Sequence, residues 1–381
     1  MSMRIIVAPG AFKNSLTAQE AATAIARGLE QSGLGADLAL KPVADGGNGT
    51  LDAMLAGGGN RRSRVVSGPL GAPVEAGWGL LPDGKTAVVE MALASGMELL
   101  APDELDPLRA STFGTGQLLA AALEAGATRV ILGLGGSATV DGGAGCLQAL
   151  GVQLLDAQGK SIGPGGAQLG RVARVDADGL DPRWRDTSLL LASDVDNPTL
   201  GEQGAAAVFG PQKGADAQQV KILEAQLSHF FTVIHEQTGR DLRQAPGGGA
   251  AGAFAAGMMA FLNAELQPGI ELVLAHSGFE NALADGDLVI TGEGQMDEQT
   301  IHGKGPIGVA RMARARGVPT VALVGGLAVH DTELHRAGMQ AVLPITPGPM
   351  SLEEALADAS QLLERAALRL GYLLQTLRFP G

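Results

Sequence analysis

Arg4-Ile-Ile-Val-Ala-Pro-Gly10, followed by Phe12, Lys13 and then Thr17-Ala-Gln-Glu20, decides the fold class. Ile5 to Ala8 is a short apolar run of the kind a buried strand uses. Beyond the glycine, Thr17 and Glu20 stand at capping-box spacing, while Ala21, Ala22, Ile25 and Leu29 recur at helical intervals. A helix to about Gln31 is therefore expected. Strand, glycine turn and helix in that order open a βαβ unit and imply a parallel sheet.

The same grammar returns at the far end of the chain. Leu288-Val289-Ile290 and Val321-Ala322-Leu323-Val324 read as strands flanking a helix at about Ile307 to Arg316, and a last helix is expected at about Leu352 to Leu370. Between Arg64 and Leu93 the texture differs. Val65-Val66, Val74 to Trp78 and Ala87 to Val89 are short strands separated by Gly-Pro-Leu-Gly and Pro-Asp-Gly turns, which is a meander. The simplest architecture is α/β: a doubly wound, Rossmann-like domain from residues 1–65 plus 285–381, carrying an inserted α/β domain at 66–284.

With 381 residues the chain exceeds one ordinary core, in keeping with two domains. Its formal net charge of −13 argues against nucleic-acid or anionic-membrane partners, which want a basic face. Aromatic residues are only 3% of the chain, too few for base-stacking platforms. No apolar run approaches a membrane span, the first strand leaves no room for a signal peptide, and the lone Cys146 fits a reducing compartment. A cytoplasmic location is expected. The sequence leaves a homo-oligomer open.

Six places set glycines beside acids or lysines just past an apolar run: Pro9 to Ser15, Ala44 to Thr50, Gly133 to Gly145, Asp194 to Pro198, Pro246 to Gly252 and Thr291 to Lys304. Such loops aim backbone N–H groups at an anion, and neighbouring carboxylates can hold a metal beside it. Gly133-Leu-Gly-Gly-Ser-Ala138 matches a dinucleotide fingerprint, but too little chain follows for a regular crossover helix. Its amides, with Gly135, Gly136 and Ser137 foremost, are instead expected to cradle a phosphate or carboxylate. Gly303-Lys304-Gly305 lacks the first glycine and the Ser or Thr of a P-loop.

Leu288 to Gly294 reads as a strand running into a glycine turn, with Gly292 and Gly294 around Glu293 at the strand's carboxyl edge. Asp297 follows, so Mg²⁺ held by these carboxylates and by nucleotide phosphates is chemically sensible. Asp194 and Asp196 could divide the roles of general base and metal ligand. The six histidines, His229, His235, His276, His302, His330 and His335, show no zinc spacing, and Cys146 reads as core packing.

The chain resembles the bacterial glycerate kinase family, the glycerate 2-kinase type of the glucarate, galactarate and tartronate-semialdehyde pathways. The likeness rests on Ala8 to Leu16, Ala44 to Thr50, Ser111-Thr-Phe-Gly-Thr-Gly116, Gly135 to Gly145, Ala192 to Pro198, Phe209-Gly-Pro-Gln-Lys213-Gly214, and Gly292 through Gly308. It covers nearly the whole length. Departures stand at Gly10 and Ala11, where the family usually has an acid and a hydroxyl, at Asn48, where it has Glu, and at Gln295, where it has Arg.

The resemblance implies two α/β domains with a cleft between them and ATP-dependent phosphorylation of D-glycerate with Mg²⁺, on the 2-hydroxyl. On that reading Lys13, Lys213 and Lys304 meet phosphates or the glycerate carboxylate, and Glu293, Asp297 and Asp196 meet Mg²⁺. Asp194 takes the hydroxyl proton, with Asp45 second, and Asp141 belongs to the nucleotide-binding loop. Rival readings are a kinase of another small hydroxy acid, a nicotinamide-dependent oxidoreductase, and a non-catalytic sugar-acid sensor.

Overall fold

The computed structural model describes residues 2–301 and 305–377. In chain order the strands are β1 (Arg4–Pro9), β2 (Asp37–Leu40), β3 (Asn60–Ser67), β4 (Pro73–Leu80), β5 (Thr86–Glu90), β6 (Arg129–Gly133) and β7 (Gln153–Leu155). They continue with β8 (Arg174–Asp176), β9 (Ser188–Ala192), β10 (Ala264–Gln267), β11 (Leu288–Met296), β12 (Thr320–Leu327) and β13 (Ala341–Pro344). Contacts gather them into two units, Met1–Asp45 with Asp52–Gly57 and Ile270–Gly381, and Gly46–Leu51 with Gly58–Gly269.

The first unit is a five-stranded sheet in the order β13-β12-β11-β1-β2, every pair parallel. Ile5, Ile6 and Val7 are fully buried, as expected of a strand covered on both faces. The helix after β1 spans Ala18–Gln31 and begins with the expected capping box. Glu20 N–H donates to Thr17 Oγ1 at 3.2 Å and Thr17 N–H to Glu20 Oε2 at 2.8 Å. Its apolar stripe of Ala21, Ala22, Ile25 and Leu29 packs with Leu363, Ala367 and Leu370 of the C-terminal helix. That helix corrects the expectation of one element from Leu352. Leu352–Ala357 ends at Asp358, and a separate helix runs Ala359–Leu377.

The second unit has a six-stranded sheet in the order β10-β9-β6-β5-β4-β3. β3, β4 and β5 form the expected antiparallel meander, and β5, β6, β9 and β10 pair in parallel. One buried core serves the unit, from Val66 through Trp184 to Leu262. β7 and β8 pair only with each other, as an antiparallel ribbon outside the main sheet. Both units are therefore α/β, the first with an all-parallel sheet and the second with a mixed one, and the carboxyl ends of their parallel strands carry the glycine loops. None of the described helices is long and apolar enough to cross a membrane.

Candidate active site

In the first unit the sheet reverses its direction of growth beside β1. The chain leads from β1 to β2 on one side and from β11 through β12 to β13 on the other, so loops leaving β1 and β11 diverge. Open α/β sheets bind ligands beyond the carboxyl ends of strands at such a switch point. Lys13 follows β1 and Asp45 follows β2, both exposed. β11 outruns β1: their last pairing is Gly292 with Pro9, while pairing with β12 continues through Glu293 to Met296. Glu293 thus stands just past the end of β1 on a strand still held at its other edge.

This corrects the expected glycine turn. Gly292 and Gly294 lie inside β11, and their lack of a side chain serves close approach. A Cβ on Gly292 would fall 2.0 Å from the Leu323 carbonyl oxygen, and one on Gly294 would fall 3.2 Å from the Lys13 backbone nitrogen.

Burial pushes the Glu293 carboxyl up to about 7, helped by repulsion from Asp45 and Asp297 and opposed by Lys13 and a Thr300 hydrogen bond. One lysine and three acids therefore share a neighbourhood. Thr300 Oγ1 donates to Glu293 Oε1 at 2.8 Å and accepts from Asp297 N–H at 3.2 Å, while Thr300 N–H donates to Asp297 Oδ1 at 3.3 Å. Thr300, absent from the sequence reading, knots the two acids together. Its three-residue spacing from Asp297 was the signal.

The donors are hard oxygens, the chemistry Mg²⁺ prefers when one or two carboxylates join phosphate and water. Among the described residues no group of three or more His, Cys, Asp or Glu side chains could hold a metal by itself. A self-sufficient protein cage is not built there.

In the second unit the carboxyl ends of four strands line up, Glu90 beside Gly133, Gly133 beside Ala192 and Ala192 beside Gln267. The loop after Gly133 is anchored on both sides. Gly135 N–H donates to the Gly46 carbonyl at 3.0 Å, and Ala138 N–H to the Ser95 carbonyl at 2.9 Å. Two amides of the expected cradle are thus already used. Those of Gly136, Ser137 and Thr139 have no acceptor among the described residues. Gly136 adopts φ +73°, and a Cβ there would lie 2.4 Å from Asn48 Oδ1.

Behind this loop Lys213 is 2% exposed, its Nζ donating to Ser137 Oγ at 2.8 Å and to the Thr139 carbonyl at 2.7 Å. Burial lowers the lysine to about 7, with Asp141 opposing. Asp141 is completely buried and accepts from Thr112 N–H at 2.8 Å, Thr112 Oγ1 at 2.9 Å, Gly143 N–H at 3.1 Å and Gly145 N–H at 3.2 Å. Burial raises its carboxyl and these four donors oppose the rise.

The acids after β9 are not equivalent. Asp194 is half-buried, and its Oδ1 accepts from Gly269 N–H, past the end of β10, at 3.0 Å. Asp196 is exposed, and its carbonyl accepts from Gly247 N–H at 2.9 Å. Pro246 to Gly252 braces its neighbours: Gly249 N–H donates to Asn197 at 3.0 Å, and Gly252 accepts from Gly142 N–H at 3.0 Å.

Glu90 was also missed by sequence reasoning. It is 3% exposed and holds the Leu51 N–H at 2.5 Å. Its position directly after Ala87-Val88-Val89 was a readable sign of a strand-end acid. Lys304, with Gly303, lies outside the described residues. Cys146 is buried in the core, where burial raises its thiol. The dinucleotide reading fails on topology: the Ala144–Ala149 helix is 6 residues long, and β7 after it does not join β6 in the main sheet.

Fold and site define an α/β protein of the open-sheet class, with lysine and acid loops at its strand ends. The model of the glycerate kinase family matches residues 5–375, and the chain belongs to that family. It is 48% identical over 366 residues to the glycerate kinase of Bacillus subtilis strain 168, covering 96% of each chain. It is 46% identical over 366 residues to the glycerate 2-kinase of Escherichia coli K12, again covering 96% of each. A crystal structure from Salmonella typhimurium LT2 bearing a glycerate kinase name is 43% identical and superposes with a TM-score of 0.86, covering 99% of this chain and 100% of that one.

Proposed function

We infer that this chain is a glycerate kinase, transferring the terminal phosphoryl group of ATP to the 2-hydroxyl of D-glycerate to give 2-phosphoglycerate and ADP. The observation that carries this reading is the set of Lys13, Asp45, Glu293 and Asp297 at the switch point of the first sheet, in a chain matched by the family along its length. Phosphoryl transfer asks mainly for positioning and charge neutralisation, and lysine beside hard carboxylates supplies both.

Glu293 and Asp297 are the groups we assign to Mg²⁺, which when bound would neutralise phosphate charge. Asp196, an exposed carboxylate after β9, is a further candidate for Mg²⁺. Lys13 answers the charge of a phosphate or of the glycerate carboxylate. In the second unit, the Gly136 and Ser137 amides offer donors to an anion. Asp194 orients the glycerate hydroxyl and accepts its proton as the new O–P bond forms and ADP leaves. Asp45 is the second candidate for that proton. Lys304 completes the lysine set on the strength of the family motif.

The test is an ATP-dependent assay with D-glycerate, followed by phosphorus NMR of the product. A signal for phosphate on the secondary hydroxyl supports the reading; phosphate on the primary hydroxyl overturns the regiochemistry. Turnover of another small hydroxy acid with none of D-glycerate overturns the substrate.

A further inference from the structure

Lys213 carries a chemical signature its sequence context did not suggest. At 2% exposure its ammonium lies under the Gly135 to Thr139 loop and cannot reach an anion in solvent while that loop keeps its place. Two of its three protons are engaged, on Ser137 Oγ and on the Thr139 carbonyl, at 2.8 and 2.7 Å. From other sides the Gly46 and Ser95 carbonyls hold Gly135 N–H and Ala138 N–H, and Met97 N–H reaches the Gly136 carbonyl at 2.9 Å. The loop is thus fastened at nearly every residue, and the amides it offers are those of Gly136 and Ser137.

Building on the kinase reading, we propose that Lys213 is a positioning residue that acts through Ser137 and Thr139, clamping the loop so that its amides face the bound anion, and does not itself touch that anion. The clamp has a foundation. Asp141 supplies the opposite charge to Lys213, and Asp141 is in turn held by the Thr112 amide and hydroxyl. Thr112 Oγ1 also accepts from Cys146 N–H at 2.9 Å, which ties the start of the next helix into the same network. The Ser111 to Gly116 motif thereby gains a structural role, because its threonine orients the acid that keeps a buried ammonium tolerable. A lone buried ammonium would be expensive, so an arrangement this complete implies use of the cation.

Asp141 is the charged group whose field Lys213 feels, and burial brings the lysine to about 7. Above that pH the clamp loses its charge and part of its grip. Wild-type kcat/KM for the substrate held by the loop should therefore fall on the alkaline side, since that parameter reports ionisations of the free enzyme.

The experiment compares the full-length wild type, Lys213→Met, Lys213→Ala and Ser137→Ala from pH 6 to 9. KM for MgATP, KM for D-glycerate and kcat are measured, with hydrogen exchange of the peptide covering 134–142 in the absence of substrates. Expected for Lys213→Met are a rise of about tenfold or more in one KM with a smaller change in kcat, loss of the alkaline limb, and faster exchange of that peptide. Ser137→Ala, which leaves the cation in place, should raise the same KM, and ethylammonium should restore part of the loss in Lys213→Ala. A folded Lys213→Met enzyme with both KM values within twofold of wild type and an intact alkaline limb overturns the proposal. So does equal loss in all parameters without change in the pH profile. If the wild type fails to phosphorylate D-glycerate, the kinase reading fails, while unchanged exchange in Lys213→Met would separately sink the clamp.

Discussion

Asp194 and Glu293 show how differently two carboxylates of one protein can be prepared. Asp194 spends Oδ1 on the Gly269 amide, and asparagine can keep that bond through its own carbonyl oxygen. Asp194→Asn should therefore fold normally while kcat for D-glycerate phosphorylation drops by about 10²-fold or more, the usual worth of a positioned base. Near-normal turnover would transfer the role to Asp45. Glu293 is raised to about 7 by burial and by two acidic neighbours. The unfolded chain releases this proton near the ordinary carboxylate value, whereas the folded protein keeps it to about 7, so between those values the folded state binds more protons. Stability contributed at this position falls as pH rises through that window and levels off above it. The difference in unfolding free energy between wild type and Glu293→Gln, without Mg²⁺, should follow that course in denaturant titrations. A flat difference would show that Glu293 is not perturbed.

Packing between helices is decided by residues that sequence patterns treat as neutral. The Thr17 and Glu20 capping box and the Ala21, Ala22, Ile25 and Leu29 stripe were legible because they obey local spacing rules, and the Ala18–Gln31 helix follows them. Gly28 was not legible. A Cβ at that position would lie 2.1 Å from the Glu364 carbonyl oxygen and 2.8 Å from Ala367 Cβ, on the Ala359–Leu377 helix. Alanine gains about 1 kcal/mol of helix propensity. Overlap with a backbone atom costs about 1–3 kcal/mol and opposes it. Because the clashing atom is backbone and cannot rotate away, overlap wins. Gly28→Ala should lower Tm by a few degrees in a thermal melt; a higher Tm would show that the helices separate cheaply. The break at Asp358 escaped the sequence for a related reason, since Ser351 and Glu354 cap one helix while the residues after Ala357 keep a helical apolar pattern.

The chain as a whole contains two units with separate cores, one around Trp184, Phe230 and Phe254, the other around Ile5, Ile25 and Leu363. Each buries its own apolar set, so unfolding need not be all-or-none. Calorimetry should give a measured enthalpy larger than the van't Hoff enthalpy. Equal enthalpies would mean that the units melt together. The sequence by itself determined the α/β class, the parallel strands with their capped helices, the antiparallel meander, and the loops where acids and lysines collect. These follow from periodicity and from the local chemistry of glycine, threonine and glutamate, which act over a few residues. Tertiary structure alone decided that β11 passes through Gly292 and Gly294 to carry Glu293 beyond β1, and that Lys213 lies beneath Ser137. Those outcomes depend on which strand outlasts its neighbour and on which charges share a buried space. Both depend on contacts between segments hundreds or tens of residues apart, which local spacing does not encode.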